Sequence, residues 1–164
     1  MSSDSPRVTG AEFRRACGRF ATGVTIATVL DARGTPHGLT VSSFTSVSLR
    51  PPLVLVCLGH EVTNIADFRK ATYFGINVLK EDQQGLSERF ARKGHDRFDG
   101  LTWQAGKTGV PLLPGCLAQI ECSLHRRVEM GDHDLFVGEM VHAAITDGNP
   151  LLYFASAYHR LETL

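Results

Sequence analysis

Residues 118–145 read AQIECSLHRRVEMGDHDLFVGEMVHAAI, and this stretch decides the fold class. In its first half, apolar residues at nearly every second position from Ala118 to Met130 alternate with polar ones. A period of two is typical of a strand with one buried face and one face in water. A second strand, LFVGEMVHAAI (135–145), follows directly. The sequence therefore predicts two long antiparallel strands, with GDHD (131–134) at or near the tip of their hairpin.

Earlier segments of the chain also favour extended structure. GVTIATVL (23–30) is rich in β-branched residues, DARGTP (31–36) has the chemistry of a turn, and HGLTVSSFTSVSL (37–49) resumes an extended strand. LVLVCL (53–58) is a continuous apolar run, which predicts a strand buried on both faces. YFGINVL (73–79) is a further predicted strand.

The N-terminal region predicts one helix. Thr9 and Glu12 stand in capping-box register, and the apolar residues that follow share one helical face. These residues are Phe13, Ala16, Cys17 and Phe20, and Gly23 ends the run. We expect residues 1–8 to form a flexible polar tail and residues 9–164 to form a single domain.

Two more short helices are expected in the middle of the chain. One is TNIADFRKA (63–71), and the other is DQQGLSERFARK (82–93), with Asp82 as its N-cap and Leu86 and Phe90 facing inward. Strands outnumber helices and never alternate with them in a regular βαβ order. This pattern favours a mainly β fold, an antiparallel barrel with a few short α-helices, over a doubly wound sheet.

Composition excludes several classes of partner. The chain has 164 residues, of which 43% are apolar and 21% charged, as is typical of a folded soluble domain. Lys+Arg and Asp+Glu both number 17, so there is no basic excess to attract nucleic acid or an anionic membrane. No stretch is long enough to span a bilayer, and the polar start is unlike a signal peptide. We therefore expect no nucleic acid and no membrane as partners, and a cytoplasmic location with reduced cysteines.

Two stretches raise the question of phosphate binding. GLTWQAGKT (100–108) looks like a phosphate loop, but its glycine spacing is one residue too long, and Pro111 and Pro114 interrupt the helix that should follow. We interpret it as a surface loop. GLTVSSFTSVSL (38–49) carries six hydroxyl side chains, which together with backbone N–H groups can hold a phosphate, while Phe44 offers an apolar surface to a ring. The alternative is a strand that places serine and threonine on its wet face.

The GDHD segment admits three interpretations: a metal site, an acid–base site or an ordinary turn. His125, His133 and His142 are spread over two strands and a turn without the spacing of a known metal site, so we expect no metal. In an ordinary turn, Asp132 and Asp134 would bond their own backbone and leave His133 in solvent.

Six segments appear in the order found in one known family. They are FATGVTIAT (20–28), GLTVSSFTSVSLRPPLVLVCL (38–58), YFGINVL (73–79), LSERFA (86–91), GDHDLFVGE (131–139) and PLLYF (150–154). Together they resemble the flavin reductase-like domain family, the small reductase components of two-component flavin monooxygenases. The resemblance covers nearly the whole chain after the tail, and the TVSSF strand combined with the GDH loop makes it specific.

This resemblance implies a split β-barrel of the antiparallel, Greek-key, FMN-binding type, usually a homodimer. It implies binding of FMN or FAD, reduction of that flavin by NADH or NADPH, and delivery of reduced flavin to a separate monooxygenase. Carried over by position, a set of residues would contact the flavin: Thr40, Val41, Ser42, Ser43, Asn77, Leu79, Arg89, Phe90 and Ala91. Thr63 is a further phosphate candidate, and Tyr158 a C-terminal contact with cofactor or partner subunit.

His133 would lie beside the nicotinamide at the catalytic centre. Hydride transfer from a dihydronicotinamide to a flavin is chemistry that the cofactors carry, so we interpret His133 as a positioning residue whose ring Asp132 orients. The chain departs from many relatives at Ala155, Ser156 and Ala157, where a glycine commonly precedes the last tyrosine. Two other functions stay open: a split-barrel flavoprotein oxidase, and a flavin- or haem-binding protein without turnover.

Overall fold

The computed structural model describes residues 7–94 and 96–162, and most of them lie in antiparallel strands. The helices are α1 (Gly10–Cys17), α2 (Ile65–Lys70) and α3 (Gln84–Ala91), with a 3-10 turn at Glu81–Gln83. The strands are β1 (Thr22–Gly23), β2 (Thr25–Leu30), β3 (Pro36–Val41), β4 (Thr45–Leu49), β5 (Pro52–Gly59), β6 (Tyr73–Val78), β7 (Gln104–Ala105), β8 (Pro111–Leu112), β9 (Ala118–Met130), β10 (His133–Ile145), β11 (Leu151–Phe154) and β12 (Ala157–Arg160). Residues 1–6 of the predicted tail lie outside the described part.

The main sheet has seven strands in the order β3-β2-β6-β9-β10-β5-β4. Its two edge strands, β3 and β4, are consecutive in the chain, so only residues 42–44 pass from one edge of the sheet to the other. Ser43 in this link hydrogen-bonds to the backbone of Cys57 in β5, which brings the two edges together. The predicted mainly β, split-barrel architecture is confirmed. Strand pairing is interrupted between the two edge strands β3 and β4, and residues 40–44 at this interruption are called here the seam.

Two apolar clusters fill the fold. The larger lies within the seven-stranded sheet and includes Val56, Phe74 and Phe136. The smaller packs α3 and the three-stranded sheet β1-β11-β12 against β2, around Ile26 and Phe90. Each cluster covers one side of β2, so β2 is almost completely buried.

The hairpin predicted from residues 118–145 is confirmed. Met130 pairs with His133, so the turn consists of Gly131 and Asp132 alone. Gly131 has φ +63°, a conformation that glycine adopts without steric cost. His133 is therefore the first residue of β10, at one end of the barrel.

Three expectations about strands need correction. The extended segment 37–49 is two strands rather than one, because the chain leaves β3 at Ser42 to cross the seam. Strand β5 is not buried on both faces: Val54, Val56 and Leu58 enter the core and the residues between them do not, since a barrel has one interior. Glu121, expected on the wet face of β9, is buried with 4% exposure.

Glu121 explains the look-alike phosphate loop. Residues 104–112 form the small β7-β8 hairpin instead of a plain loop. The backbone N–H groups of Lys107 and Thr108 donate to the Glu121 carboxylate at 3.0 and 2.7 Å, and the Thr108 hydroxyl donates at 2.6 Å. Burial raises the pKa of a carboxyl, but these hydrogen bonds outweigh it and the pKa of Glu121 is lowered. The Glu121 carboxylate thus accepts the hydrogen bonds that a phosphate loop would donate to a bound phosphate.

The start of α1 follows the sequence, but α1 ends at Cys17, before Phe20, and the start of α3 also departs from the prediction. The capping box of Thr9 and Glu12 is confirmed, with α1 beginning at Gly10. Asp82 is not the N-cap of α3, because it lies inside the 3-10 turn and the helix begins two residues later, after Gln83. The Gln83 side chain accepts from the Lys80 N–H at 2.9 Å, which stabilises this tighter start. Within the described residues, no helix has the length and apolar character needed to cross a membrane.

Candidate functional site

Two cavities flank the seam. The first, about 310 Å³, is called here the His133 cavity; His133, Gly59 and Val62 line it opposite residues 39–43. The second, about 230 Å³, is called the Tyr158 cavity and is lined by Val24, Thr40, Ser42, Ser87, Ala91, Tyr153 and Tyr158. Thr40 and Ser42 border both cavities, so a ligand lying along the seam contacts both.

Thr40 can act only as an acceptor towards such a ligand. Its hydroxyl donates its hydrogen to the Ser87 carbonyl at 2.6 Å, and a carbonyl oxygen cannot donate in return. Lone pairs remain on the Thr40 oxygen for an N–H or O–H of the ligand. A phosphate, which offers acceptors, is poorly matched to this hydroxyl.

Ser43 and Phe44 are engaged with the protein itself. The Ser43 hydroxyl accepts from the Cys57 N–H at 2.9 Å and donates to the Cys57 carbonyl at 3.1 Å. These two hydrogen bonds take the place of backbone strand pairing, which is interrupted at the seam. Phe44 packs against the larger core cluster. Ser42 is the exposed hydroxyl of the seam, and Val41 belongs to the larger core cluster and also borders the His133 cavity.

His133 is oriented by its neighbour. Asp132 Oδ1 lies 2.7 Å from His133 Nδ1, and this hydrogen bond lowers the pKa of the Asp132 carboxyl. Because a carboxylate only accepts, Nδ1 carries the hydrogen, and in the neutral ring Nε2 is then an acceptor. The ring covers Gly59, its strand partner, where a Cβ would lie 3.6 Å from Nε2. Nε2 is thus positioned at the cavity wall as an acceptor for a donor such as a carboxamide NH2.

The Tyr158 cavity is closed by the C-terminal hairpin. The Tyr158 hydroxyl lies 2.8 Å from Ser87 Oγ, and its ring packs edge-to-face on Tyr153 with centroids 5.3 Å apart. Ala155 and Ser156 at the hairpin tip have φ values of 49° and 67°, a left-handed conformation that glycine adopts at lower steric cost. The Ala155 N–H donates to the Gly18 carbonyl at 2.9 Å, so the hairpin tip is attached to the end of α1.

Five of the residues assigned by resemblance border neither cavity. Leu79 and Phe90 are buried in the smaller core cluster. Asn77 is fully buried and bonds the backbone of Ile26 and Leu113. Thr63 is exposed on the loop before α2.

Arg89 is the fifth, and its guanidinium bonds the backbone carbonyls of Arg97 and Asp99. It borders a separate hollow of about 470 Å³ together with Arg92, Lys93 and Arg97. The carried-over contacts that meet at the seam are therefore Thr40, Val41, Ser42, Ser43, Ala91, His133 and Tyr158.

Three site residues were assigned no role from the sequence. Ser87 belongs to the LSERFA segment, but only its complete burial and its contacts with Thr40 and Tyr158 reveal its place. Gly59 and Tyr153 are brought to the site by the pairing of their strands. Among the described residues, no three metal-ligating side chains converge on a possible metal site.

The sequence and the fold match known proteins. The flavin reductase like domain family matches residues 17–162, which is most of the chain. This chain belongs to the flavin reductase like domain family.

Individual members of the family are also similar over most of their length. The FMN reductase (NADH) SmoA of Agrobacterium fabrum is 46% identical over 148 residues, which are 90% of this chain and 84% of that protein. The reductase component of 4-nitrophenol 4-monooxygenase/4-nitrocatechol 2-monooxygenase of Rhodococcus opacus is 42% identical, over 90% of this chain and 79% of its own. The chain spans only 47% of the length of two other relatives, from Rhizobium meliloti and Acinetobacter baylyi.

A solved member of the flavin reductase like domain family has nearly the same fold. The structure of the Streptomyces globisporus NADH:FAD oxidoreductase SgcE6 in complex with NAD and FAD fragments superposes with a TM-score of 0.87 at 37% identity. The match covers 93% of this chain and 92% of that one. The split-barrel architecture described above is therefore that of a flavin reductase over its whole extent.

Proposed function

We propose that this protein is an NAD(P)H:flavin oxidoreductase, which reduces FMN or FAD with NADH or NADPH and supplies the reduced flavin to a separate monooxygenase. The observation that carries the proposal is the seam: an acceptor hydroxyl at Thr40 and an acceptor imidazole at His133 border one continuous ligand surface. Membership of the flavin reductase like domain family and the names of SmoA and SgcE6 support it.

The residues at the seam fit a flavin. An isoalloxazine ring and a ribityl chain offer N–H and O–H donors, and Thr40 offers the matching acceptor. When bound, flavin supplies the acceptor for the hydride, and the protein's contribution is distance and orientation. His133 holds the carboxamide of the nicotinamide through Nε2, and Asp132 keeps the ring in the tautomer that this contact requires.

Delivery to a monooxygenase is proposed from the relatives' names. The Rhodococcus opacus relative is named as the reductase component of a nitrophenol monooxygenase. Its similarity extends over 90% of this chain, so the reductase unit is shared. We also infer a cytoplasmic location, supported by four free cysteines.

A homodimer is part of the same proposal. Large apolar side chains on α1, on the segment after it, on β4 and on β10 are more than half exposed: Phe13 61%, Phe20 77%, Leu49 80% and Ile145 84%. Strand β4 is also an edge of the sheet with unpaired backbone groups. A second copy of the chain would cover these surfaces through an isologous interface. A monomeric mass by light scattering at micromolar concentration would contradict the dimer.

The decisive experiment follows NADH and NADPH oxidation by absorbance, each with FMN, FAD or no added flavin. We expect oxidation only when flavin is present. Failure of every pairing would refute the reductase. Tightly held flavin reduced by another donor would favour an oxidase, and flavin binding without turnover would favour a carrier.

A further inference from the structure

Asp134 follows His133 in β10 and is the most enclosed charge near the site. Its side chain has no exposed surface. Arg69 Nε donates to its Oδ2 at 2.6 Å, Arg127 Nη1 donates to its Oδ1 at 3.1 Å, and His60 Nε2 lies 3.3 Å from Oδ1. The carboxylate therefore joins three different elements: α2, β9 and the turn after β5.

The charge on Asp134 is stabilised in spite of its burial. Burial raises the pKa of a carboxyl, yet the hydrogen bonds from Arg69 and Arg127 outweigh it, and the pKa of Asp134 is lowered. A buried carboxylate with two guanidinium partners is costly to disrupt, because removing one partner leaves an incompletely compensated charge. The arrangement is therefore rigid.

Asp134 cannot itself touch a ligand in the His133 cavity. Successive side chains of a strand point to opposite faces, so Asp134 lies behind the strand while His133 lies in front of it. Its influence must pass through the backbone and through its partners.

One of those partners, His60, belongs to the turn that lines the cavity beside His133. His60 follows Gly59, the residue that the His133 ring covers, and the His60 N–H donates to the Asp132 carbonyl at 2.9 Å. The turn continues with the Val62 N–H donating to the Gly59 carbonyl at 3.3 Å, and Val62 also lines the cavity. Asp134 thus attaches the 59–62 turn and β10 to the same point, and these two segments together line the His133 cavity opposite residues 39–43.

We propose that Asp134, with Arg69, His60 and Arg127, is a positioning residue that fixes His133 against the 59–62 turn and thereby sets the placement of the nicotinamide. This rests on the proposed function, because it takes the nicotinamide to lie beside His133. The role is selective: it concerns the nicotinamide nucleotide and not the flavin, which contacts the seam.

The test uses Asp134→Asn and Arg69→Met, with Arg69→Lys as the conservative variant. Lys70→Met is the matched control, since it removes a neighbouring positive charge from the same helix end without touching Asp134. For each protein we would measure the Kd of NAD+, which does not turn over, by titration calorimetry, the KM for NADH, the flavin Kd and the Tm. If Asp134→Asn does not fold, Arg69→Met decides, because Arg69 is partly exposed at the surface.

We expect Arg69→Met to weaken NAD+ binding and raise the KM for NADH about fivefold, the lower end of couplings between sites, with the flavin Kd unchanged. Arg69→Lys should recover most of the loss, and Lys70→Met should lose nothing. In a His133→Ala background, Arg69→Met should add no further effect, because the two residues act through one contact.

Three results would overturn the inference. They are an unchanged NAD+ Kd in Arg69→Met, a parallel loss of flavin binding and Tm that marks a merely structural role, and a full additional loss in the His133→Ala background. The first two leave the proposed function intact if the wild type still shows flavin-dependent NADH oxidation. A wild type without that activity would refute both proposals.

Discussion

Replacing Thr40 by valine tests whether the seam holds the flavin through an acceptor. Valine keeps the branched shape of threonine but removes the hydroxyl that donates to the Ser87 carbonyl at 2.6 Å. Two effects follow: the carbonyl loses one partner, and the ligand loses the acceptor that Thr40 presents. The hydrogen bonds in the structure allow the free-energy cost of each effect to be estimated.

The effect on stability should be small. Ser87 lies within α3, so the helical ladder still engages its carbonyl, and the loss is that of one hydrogen bond, about 1 kcal/mol of unfolding free energy. The effect on binding is of similar size for a neutral donor, about 1 kcal/mol, which corresponds to a flavin Kd roughly fivefold weaker. Thr40→Ser keeps the hydroxyl and should bind nearly as the wild type does.

Flavin fluorescence titration measures this Kd, and a comparison of riboflavin with FMN locates the contact. If Thr40 accepts from the ring or the ribityl chain, Thr40→Val should weaken both ligands by the same factor. A loss confined to FMN would place Thr40 at the phosphate and refute the argument that its only hydrogen is donated to Ser87. An unchanged Kd for both ligands would remove Thr40 from the flavin site.

Variants at four other positions test separate features of the structure. His133→Ala should lower kcat/KM for NAD(P)H about tenfold, because a hydrogen bond is lost and the hydride donor is misplaced, and it should leave the flavin Kd unchanged. If the variant has the kinetics of the wild type, residues 131–134 are an ordinary solvated turn. Ser43→Ala should cost about 1–2 kcal/mol in urea unfolding, because both hydrogen bonds to β5 are lost, and equal stability would mean that the seam is held otherwise. Ser156→Gly should raise the unfolding free energy by about 1 kcal/mol, since φ is 67° there, and a lower Tm would contradict this hairpin turn. The hydrogen bond from the Thr35 N–H is the main reason that the pKa of the Asp31 carboxyl is lowered from 3.8 to about 2. The ionised carboxylate therefore stabilises the folded protein fully above pH 3.8, and this contribution is lost as the pH falls towards 2. Asp31→Asn should flatten the stability profile in that range, as followed by acid titration of circular dichroism.

Local patterns in the sequence determined most of the secondary structure. The period of two across residues 118–145 follows from the pleat of a strand, so the hairpin and its tip were predictable. Thr9 and Glu12 exchange hydrogen bonds within a stretch of four residues, so this capping box needs no tertiary contact. Where a neighbour in space competes, prediction failed: Gln83 displaced Asp82 from the start of α3 through its bond to Lys80.

The candidate site depended on the resemblance for its members and on the tertiary structure for their roles. The sequence shows six hydroxyls near the seam, but it cannot show that Thr40 donates its hydrogen to a residue 47 positions away or that Ser87 meets Tyr158 across 71 positions. Nor does it distinguish Asp134, buried in contact with two arginines and a histidine, from the exposed Asp132 two positions earlier.

The physical reason is that hydrogen-bonding roles are assigned by distance in space, and the curvature of the barrel sets those distances. A strand's own sequence fixes which side chains share a face, since that alternation is local. Which of those side chains finds a protein partner, and which is left for a ligand, is decided only when β3, α3 and β12 meet at the seam.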